Sequence, residues 1–472
     1  MKKLKFVVVL GIAAALTGCA VQRYHPAPIA PAASAAALRA RTLSDEGLRK
    51  FLVDRLPADA GKWPLQQWSL PELTLAAFYY NPGLQVARAR VAEADAAVIT
   101  AGARPNPIIS GSVGGSTSPA SPWIGALGFG LPVETAGKRG YRILRAQRLA
   151  DAARWDLANT AWTVRAQVRS TLLQYLTLTQ RVQALQNEKQ IRGEQVKLLE
   201  QRLAVGMIAR PEVDAARILH SEILVTLGQA EEQLAVSEPA LAAAIGIPVA
   251  ALEQVKLAWP DFDHPPRAES LPQAAIHEDA VLNRLDIRRA LFDYAASQAD
   301  LQLEIANQYP DIKLGPAYNY GEGDHNFELG FSVVLPLLNR NQGPIAQAEA
   351  RRKQAAAQFL ATQAAGIAAS EQALARYRAA LNELAQAHKL RQQSAAQQQA
   401  AQQALAAGQA DRVALNGAQL QVAVAAAAQM DALDRAQQAL GDLENAVQRP
   451  LVPGDIQPLS PQSPALTPAA RK

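Results

Sequence analysis

The sequence predicts a mainly α-helical protein with membrane β: long antiparallel coiled-coil helical hairpins plus two β-hairpins per chain, made by an internal tandem repeat. Three observations carry this reading. Leu131-Pro132 returns as Leu335-Pro336, an offset of 204, and Leu203-Ala204-Val205-Gly206 with Val213 returns as Leu405-Ala406-Ala407-Gly408 with Leu415, an offset of 202. Ahead of each Leu-Pro stand two short alternating runs. After each comes a stretch without helix breakers that is far longer than a solenoid repeat. A unit of hairpin, long helix, glycine-marked turn and returning helix suits the wall of a hollow object, which narrows the function to transport.

The elements follow in chain order. Lys2, Lys3 and Lys5 precede an apolar run from Phe6 to Leu16, which has the length of a secretory signal core and is too short to span a bilayer as a helix. Residues 1–18 therefore read as the signal peptide of an exported chain. Leu16-Thr17-Gly18-Cys19 is similar to a bacterial lipobox, with Cys19 the lipidated first residue of the mature protein. The other reading is a plain signal with an incidental cysteine. Cys19 is the only cysteine, so no internal disulfide forms. Residues 19–68 read as a tether, because Pro26, Pro28 and Pro31 oppose helix and no apolar period is present.

The first repeat spans 69–248. Ser69 with Glu72 forms a capping box, and the helix it starts is expected to run through Leu84 and Val98 to about Arg104, where Pro105 and Pro107 stop it. Strands are expected at about 107–116 and 122–131, separated by the turn-rich Ser118–Pro122. The second repeat, 282–448, alternates more clearly: Phe327, Leu329, Phe331, Val333 and Leu335 interleave with Asn326, Glu328, Gly330, Ser332 and Val334. Its strands fall at about 311–320 and 326–335. Alternation of this kind suits a sandwich or a barrel wall. Four strands are too few to close a barrel, which needs about eight. An open edge in lipid leaves each unpaired backbone group at a cost of several kcal/mol. Several chains must therefore pool their hairpins, and strand count alone permits two, three or four.

No proline interrupts Gly137 to Val205, and those 69 residues at 1.5 Å each reach roughly 100 Å as a helix. The return helix is expected from Glu212 to Ile245. In the second copy, sixteen of the twenty residues from Arg391 to Ala410 are Ala or Gln. Low complexity of this sort suits disorder, while the alanine content and the persisting register favour helix. Residues 249–281 read as a linker with short helices, and 449–472, rich in proline, as a disordered tail.

Composition excludes other classes. The formal charge is +5, from 47 basic and 42 acidic side chains, and loss of Lys2, Lys3 and Lys5 with the signal leaves +2. Nucleic-acid binding has no electrostatic support. The stretch from Gly130 to Lys138 has six residues between its glycines where a phosphate loop has four, and Arg139 replaces the Ser/Thr. Gly321-Glu322-Gly323 lacks a third glycine, and His277-Glu278 has Val281 where a zinc helix has histidine. Asp261, Asp263 and His264 could supply ligands to a divalent ion, but they and His325 read first as solvated loop residues. No catalytic, cofactor or resident metal site is expected, and the chain is not read as an enzyme. Lys138, Arg139, Arg142, Arg145 and Arg148 form a basic edge after the first hairpin. It is either a solvated face or a set of membrane-interface groups, with Trp123 and Tyr141 as interfacial aromatics.

Over nearly all its mature length the chain resembles the outer-membrane efflux, or TolC-like, proteins. The resemblance rests on Asn81-Pro82-Gly83-Leu84, on Pro105 and Pro310 before the strands and Leu-Pro after them, on Gly206 and Gly408, and on Ala244-Ile245-Gly246-Ile247-Pro248. Glu134-Thr135-Ala136-Gly137-Lys138-Arg139 and the stretch from Leu337 to Ala346 resemble the heavy-metal, CzcC-type branch. The resemblance implies a homotrimer with a twelve-stranded barrel in the bacterial outer membrane, lipid-anchored, and an α-helical periplasmic tunnel. It implies as partners a periplasmic membrane-fusion adaptor, an inner-membrane pump of the RND type and outer-membrane lipids. Better-known members carry acidic residues six and nine positions beyond the second turn glycine, where this chain has Ala414 and Gly417. Glu212, Asp214 and Asp411 are the carboxylates available near Gly206 and Gly408. These five residues are the candidate periplasmic gate and adaptor-docking tip, and three copies of each carboxylate would form a ring attractive to cations.

Overall fold

The computed structural model describes residues 22–55, 63–117, 122–253, 255–260, 262–271, 276 and 278–452. Cys19, Asp261, His277 and the end of the chain from 453 lie outside them. The chain divides into two units, Met1–Arg41 and Thr42–Lys472. Within the first, α1 (Pro31–Arg39) is a helix with proline at its first position, so Pro31 begins a helix where a tether was expected.

The second unit starts with α2 (Glu46–Val53), capped by Asp45, whose carboxylate accepts from Leu48 N at 2.8 Å. Leu43, Leu48, Phe51, Leu52 and Trp68 are buried in the main core, so residues 42–55 and 63–68 are folded structure and not tether. Scattered large apolar residues without a period make poor sequence signals, yet burial of each removes enough surface from water to stabilise by about 1.5–3 kcal/mol. Strand β1 (Gln67–Trp68) pairs in parallel with β4 (Lys256–Leu257), which ties the linker to the start of the first repeat.

Next come α3 (Leu70–Tyr80) and α4 (Pro82–Gly102). A single helix to Arg104 was expected, and Asn81 breaks it. Pro82 has no N–H to donate and disfavours helical backbone at the residue before it, so Asn81 is extended, at φ −63° and ψ 123°. Its side chain caps Gly83 N at 2.8 Å and donates to Ala244 O at 3.0 Å, which fastens the break to the far end of the repeat. At Ser69 the capping box is present, with Ser69 N donating to Glu72 Oε2 at 2.8 Å.

Strands β2 (Ile108–Gly115) and β3 (Trp123–Val133) precede α5 (Lys138–Ala204), and α6 (Arg210–Ile245) returns. The second copy repeats this order. After α7 (Leu285–Ala306), β5 (Ile312–Gly321) and β6 (Asp324–Val333) lead into α8 (Gln342–Ala406) and α9 (Arg412–Val447). The Ala/Gln-rich stretch is helical to Ala406, so helix propensity prevails over low complexity there. Pro132 lies inside β3, opposite Lys313, whereas Pro336 lies beyond β6. The four strands form one antiparallel sheet in the order β2-β3-β5-β6.

The core sits where α3, α5 and the end of α6 meet, around Trp68, Leu73, Phe78, Leu84, Trp162, Leu172, Leu241 and Ile245. A second cluster joins α8 to α9 through Leu374, Tyr377, Leu440 and Leu443. Between the two copies, Glu444 of α9 meets Arg165 and Arg169 of α5 at 3.1 and 3.3 Å, all three buried. Leu451 N donates to the other Glu444 oxygen at 2.9 Å, so the chain just past α9 is held as well.

Candidate functional site

The features that bear on function lie at three levels: the sheet, its junction with the long helices, and the helix tips. In the sheet, register puts most of the large apolar side chains on one face, Ile108 and Ile124 excepted. Ile109 and Val113 of β2, Leu127, Phe129 and Leu131 of β3, and Phe327, Leu329 and Phe331 of β6 share it. Phe327, Leu329 and Phe331 are exposed at 82, 83 and 76%, which a chain in water does not sustain over a contiguous sheet face. Among the described residues β2 and β6 are the edge strands of this sheet. Among the described residues no helix is long and apolar enough to cross a membrane.

Gly315 makes the β3–β5 contact possible. A Cβ at this position would overlap the carbonyl oxygen of Phe129, and the ladder skips Phe129 and Gly130 before resuming at Leu131 opposite Leu314. At the end of the hairpin remote from the helices, Tyr318 Oη lies 2.6 Å from His325 Nδ1, and Tyr320 and Phe327 crowd the same pair.

At the junction the chain turns through Ala136 and Gly137, both at positive φ, into α5. Lys138 Nζ reaches Asp311 Oδ1 at 2.7 Å, Thr135 N donates to the same oxygen at 3.0 Å, and Thr135 Oγ1 donates to Pro310 O at 2.8 Å. Burial alone would raise the Asp311 carboxyl, but Lys138 and Thr135 outweigh it and hold it below the usual carboxylate range. Arg142 pairs with Glu134, and Arg139 Nε donates to Gly102 O at 2.8 Å. Lys138 is buried against Asp311, and Arg139 and Arg142 close onto the end of α4 and Glu134, so these groups fasten the hairpin's base. Tyr141 is half-buried beside Gly137. Trp123 stands at the opposite end of β3, ten residues from Val133 and so roughly 33 Å away, 66% exposed.

At the tips both copies use the same turn. Gly206 and Gly408 have φ of 73° and 66°, conformations that favour glycine, and close their helices by Gly206 N to Leu203 O at 2.9 Å and Gly408 N to Leu405 O at 3.1 Å. Asp411 caps α9, accepting from Ala414 N at 2.9 Å, and its second oxygen pairs with Arg202 at the end of α5. This ion pair joins the tip of one copy to the tip of the other. Glu212 accepts from Ala209 N at 3.3 Å at the start of α6. Asp214 lies 3.4 Å from Arg217, which also holds Glu200 at 2.6 Å. All three candidate carboxylates therefore already have partners in the chain. Arg202, Arg217 and Glu200 escaped the sequence reading. The signal was present in the repeat: the position equivalent to Arg202 is Ala404 and the position equivalent to Asp411 is Ala209, so each copy contributes one opposite charge.

Asp263 and His264 line an open groove of about 670 Å³ with Arg267, His388 and Arg391. Among the described residues no three His, Cys, Asp or Glu side chains gather as metal ligands.

The chain is a doubled unit of hairpin and long coil, with an exposed apolar sheet face and paired glycine turns at the helix tips. The family model for outer membrane efflux proteins matches residues 72–247 and 276–447, and this chain belongs to that family. It is 26% identical over 233 residues to the cobalt-zinc-cadmium resistance protein CzcC of Cupriavidus metallidurans, a match covering 49% of this chain and 54% of CzcC. It is 27% identical over 240 residues to the pyoverdine export outer membrane protein OpmQ of Pseudomonas putida, covering 48% of this chain and 50% of OpmQ. The chain thus spans about half the length of the curated relatives it matches. Its fold is that of the outer-membrane channel OprN, with a TM-score of 0.67 at 19% identity over 91% of this chain and 99% of OprN.

Proposed function

We propose that the protein is the passive exit duct of a tripartite efflux system, anchored by lipid at Cys19 and assembled as a homotrimer in the bacterial outer membrane. One observation carries the reading: a four-stranded sheet has an exposed apolar face and two open edges, and it surmounts helices of 67 and 65 residues. Three chains supply twelve strands, enough to seal a barrel, and six long helices to continue it as a tunnel. An adaptor grips the tips, an inner-membrane pump supplies the energy, and substrate moves through water. The cargo is divalent heavy-metal cations, a reading supported by the match to CzcC. Export of an organic small molecule is the second reading, supported by the match to OpmQ.

The mouth rests shut because Arg202 holds Asp411 across the two tips, and opening separates them. Arg202→Gln and Asp411→Asn are each expected to raise single-channel conductance in planar bilayers several-fold, and Glu212→Gln with Asp214→Asn to raise it less. Unchanged conductance removes the pair from the gate. A deletion strain sensitive to cobalt, zinc and cadmium supports the metal cargo; one impaired only in release of an organic small molecule supports the second reading.

A further inference from the structure

The duplication fixes how neighbouring subunits meet, down to the residue. The second strands of the two hairpins correspond at an offset of 204, Leu131-Pro132 to Leu335-Pro336, and the first strands at 203, Pro107 to Pro310. The registers agree with both offsets: Ile109 opposite Phe129 becomes Ile312 opposite Val333. Inside the chain β3 of copy one joins β5 of copy two. In a closed ring of repeated copies the equivalent seam joins β6 of one chain to β2 of the next. Carrying the β3–β5 pairs across gives its register. Leu127 opposite Tyr318 becomes Phe331 opposite Gly115; Leu131 opposite Leu314 becomes Leu335 opposite Gly111; Val133 opposite Ile312 becomes Leu337 opposite Ile109. Phe331, Gly115, Gly111 and Ile109 fall on the apolar face, and Leu335 and Leu337, beyond the end of β6 at Val333, keep its parity.

One step further the two seams differ in kind. The in-chain seam ends at Glu134 and Asp311, neutralised by Arg142 and Lys138. Their four equivalents are Leu338, Ile108, Ala346 and Gln342, so every charge is absent at once. In the single chain Leu338 is 98% exposed, Leu337 73%, Ile109 71% and Ile108 51%. We propose that the partner for this surface is a second copy of the chain, and that Leu337 and Leu338 close on Ile109 and Ile108 of that copy. Each seam inside a subunit is then clasped by the Lys138–Asp311 ion pair and each seam between subunits by an apolar clasp. The proposal rests on the conduit reading and adds the register and the chemistry of the contact.

The test uses full-length chain in outer-membrane vesicles. Leu337→Cys with Ile109→Cys is expected to give covalent trimers on mild oxidation, at least ten-fold more than Leu337→Cys with Gly111→Cys, a slip of two residues. Single-cysteine variants report any background from Cys19. Leu338→Asp is expected to lower the temperature at which trimers dissociate in detergent, while Leu338→Ile leaves it unchanged. Equal cross-linking in both double variants, or cross-linking of the slipped pair alone, overturns the register. Trimers seen with an amine cross-linker but no disulfide from either pair overturn the clasp and leave the loop facing lipid. Absence of any oligomer in the unaltered chain overturns the conduit reading itself.

Discussion

The buried Glu444 is the residue on which the union of the two copies turns. Its carboxylate faces Arg165 and Arg169 from the other repeat, and those guanidiniums lie 4.7 Å over Trp162 and 5.1 Å over Trp259. Formation of such a cluster from water gains little, because desolvation opposes the attraction. Removal of one member leaves an uncompensated buried charge, at a cost of about 3–5 kcal/mol. Glu444→Gln is therefore expected to lower the thermal midpoint of the detergent-solubilised protein markedly, while Glu383→Gln, on an exposed pair with Arg435, shifts it little. Equal midpoints for the two variants would contradict this. No part of the cluster was legible beforehand, since Arg165 and Glu444 lie 279 residues apart and each alone looks like a solvated helix residue.

Among the elements, those the sequence marks by contrast are the legible ones. Long helices stand out because prolines bound them and alanine fills them, and strands because two-residue alternation is sharp in the second copy. The break at Asn81 was missed although Pro82 is visible, because a proline at the first turn of a helix and one inside it look alike without φ and ψ. The segment before Trp68 was missed because its apolar residues have no period and find their partners in the main core, α3 among them. Gly315 is the weak point of the sheet, since it alone allows β5 to pass the Phe129 carbonyl. Gly315→Ala is expected to abolish heat-resistant oligomers in detergent while leaving helical circular dichroism unchanged. Retention of those oligomers would mean that β3 and β5 tolerate wider spacing.

At the scale of the whole molecule, duplication explains why one chain supplies two equal wall sections and why its hairpins stay open at both edges. The candidate tip was legible in outline, as glycine turns with nearby carboxylates, but the Arg202–Asp411 pairing belongs to the meeting of two copies and required the fold. The central claim is that hairpins from separate chains close one barrel. Native mass spectrometry of the full-length protein released from detergent micelles tests it most directly. Three chains in each particle are predicted; a particle of one chain would contradict the account.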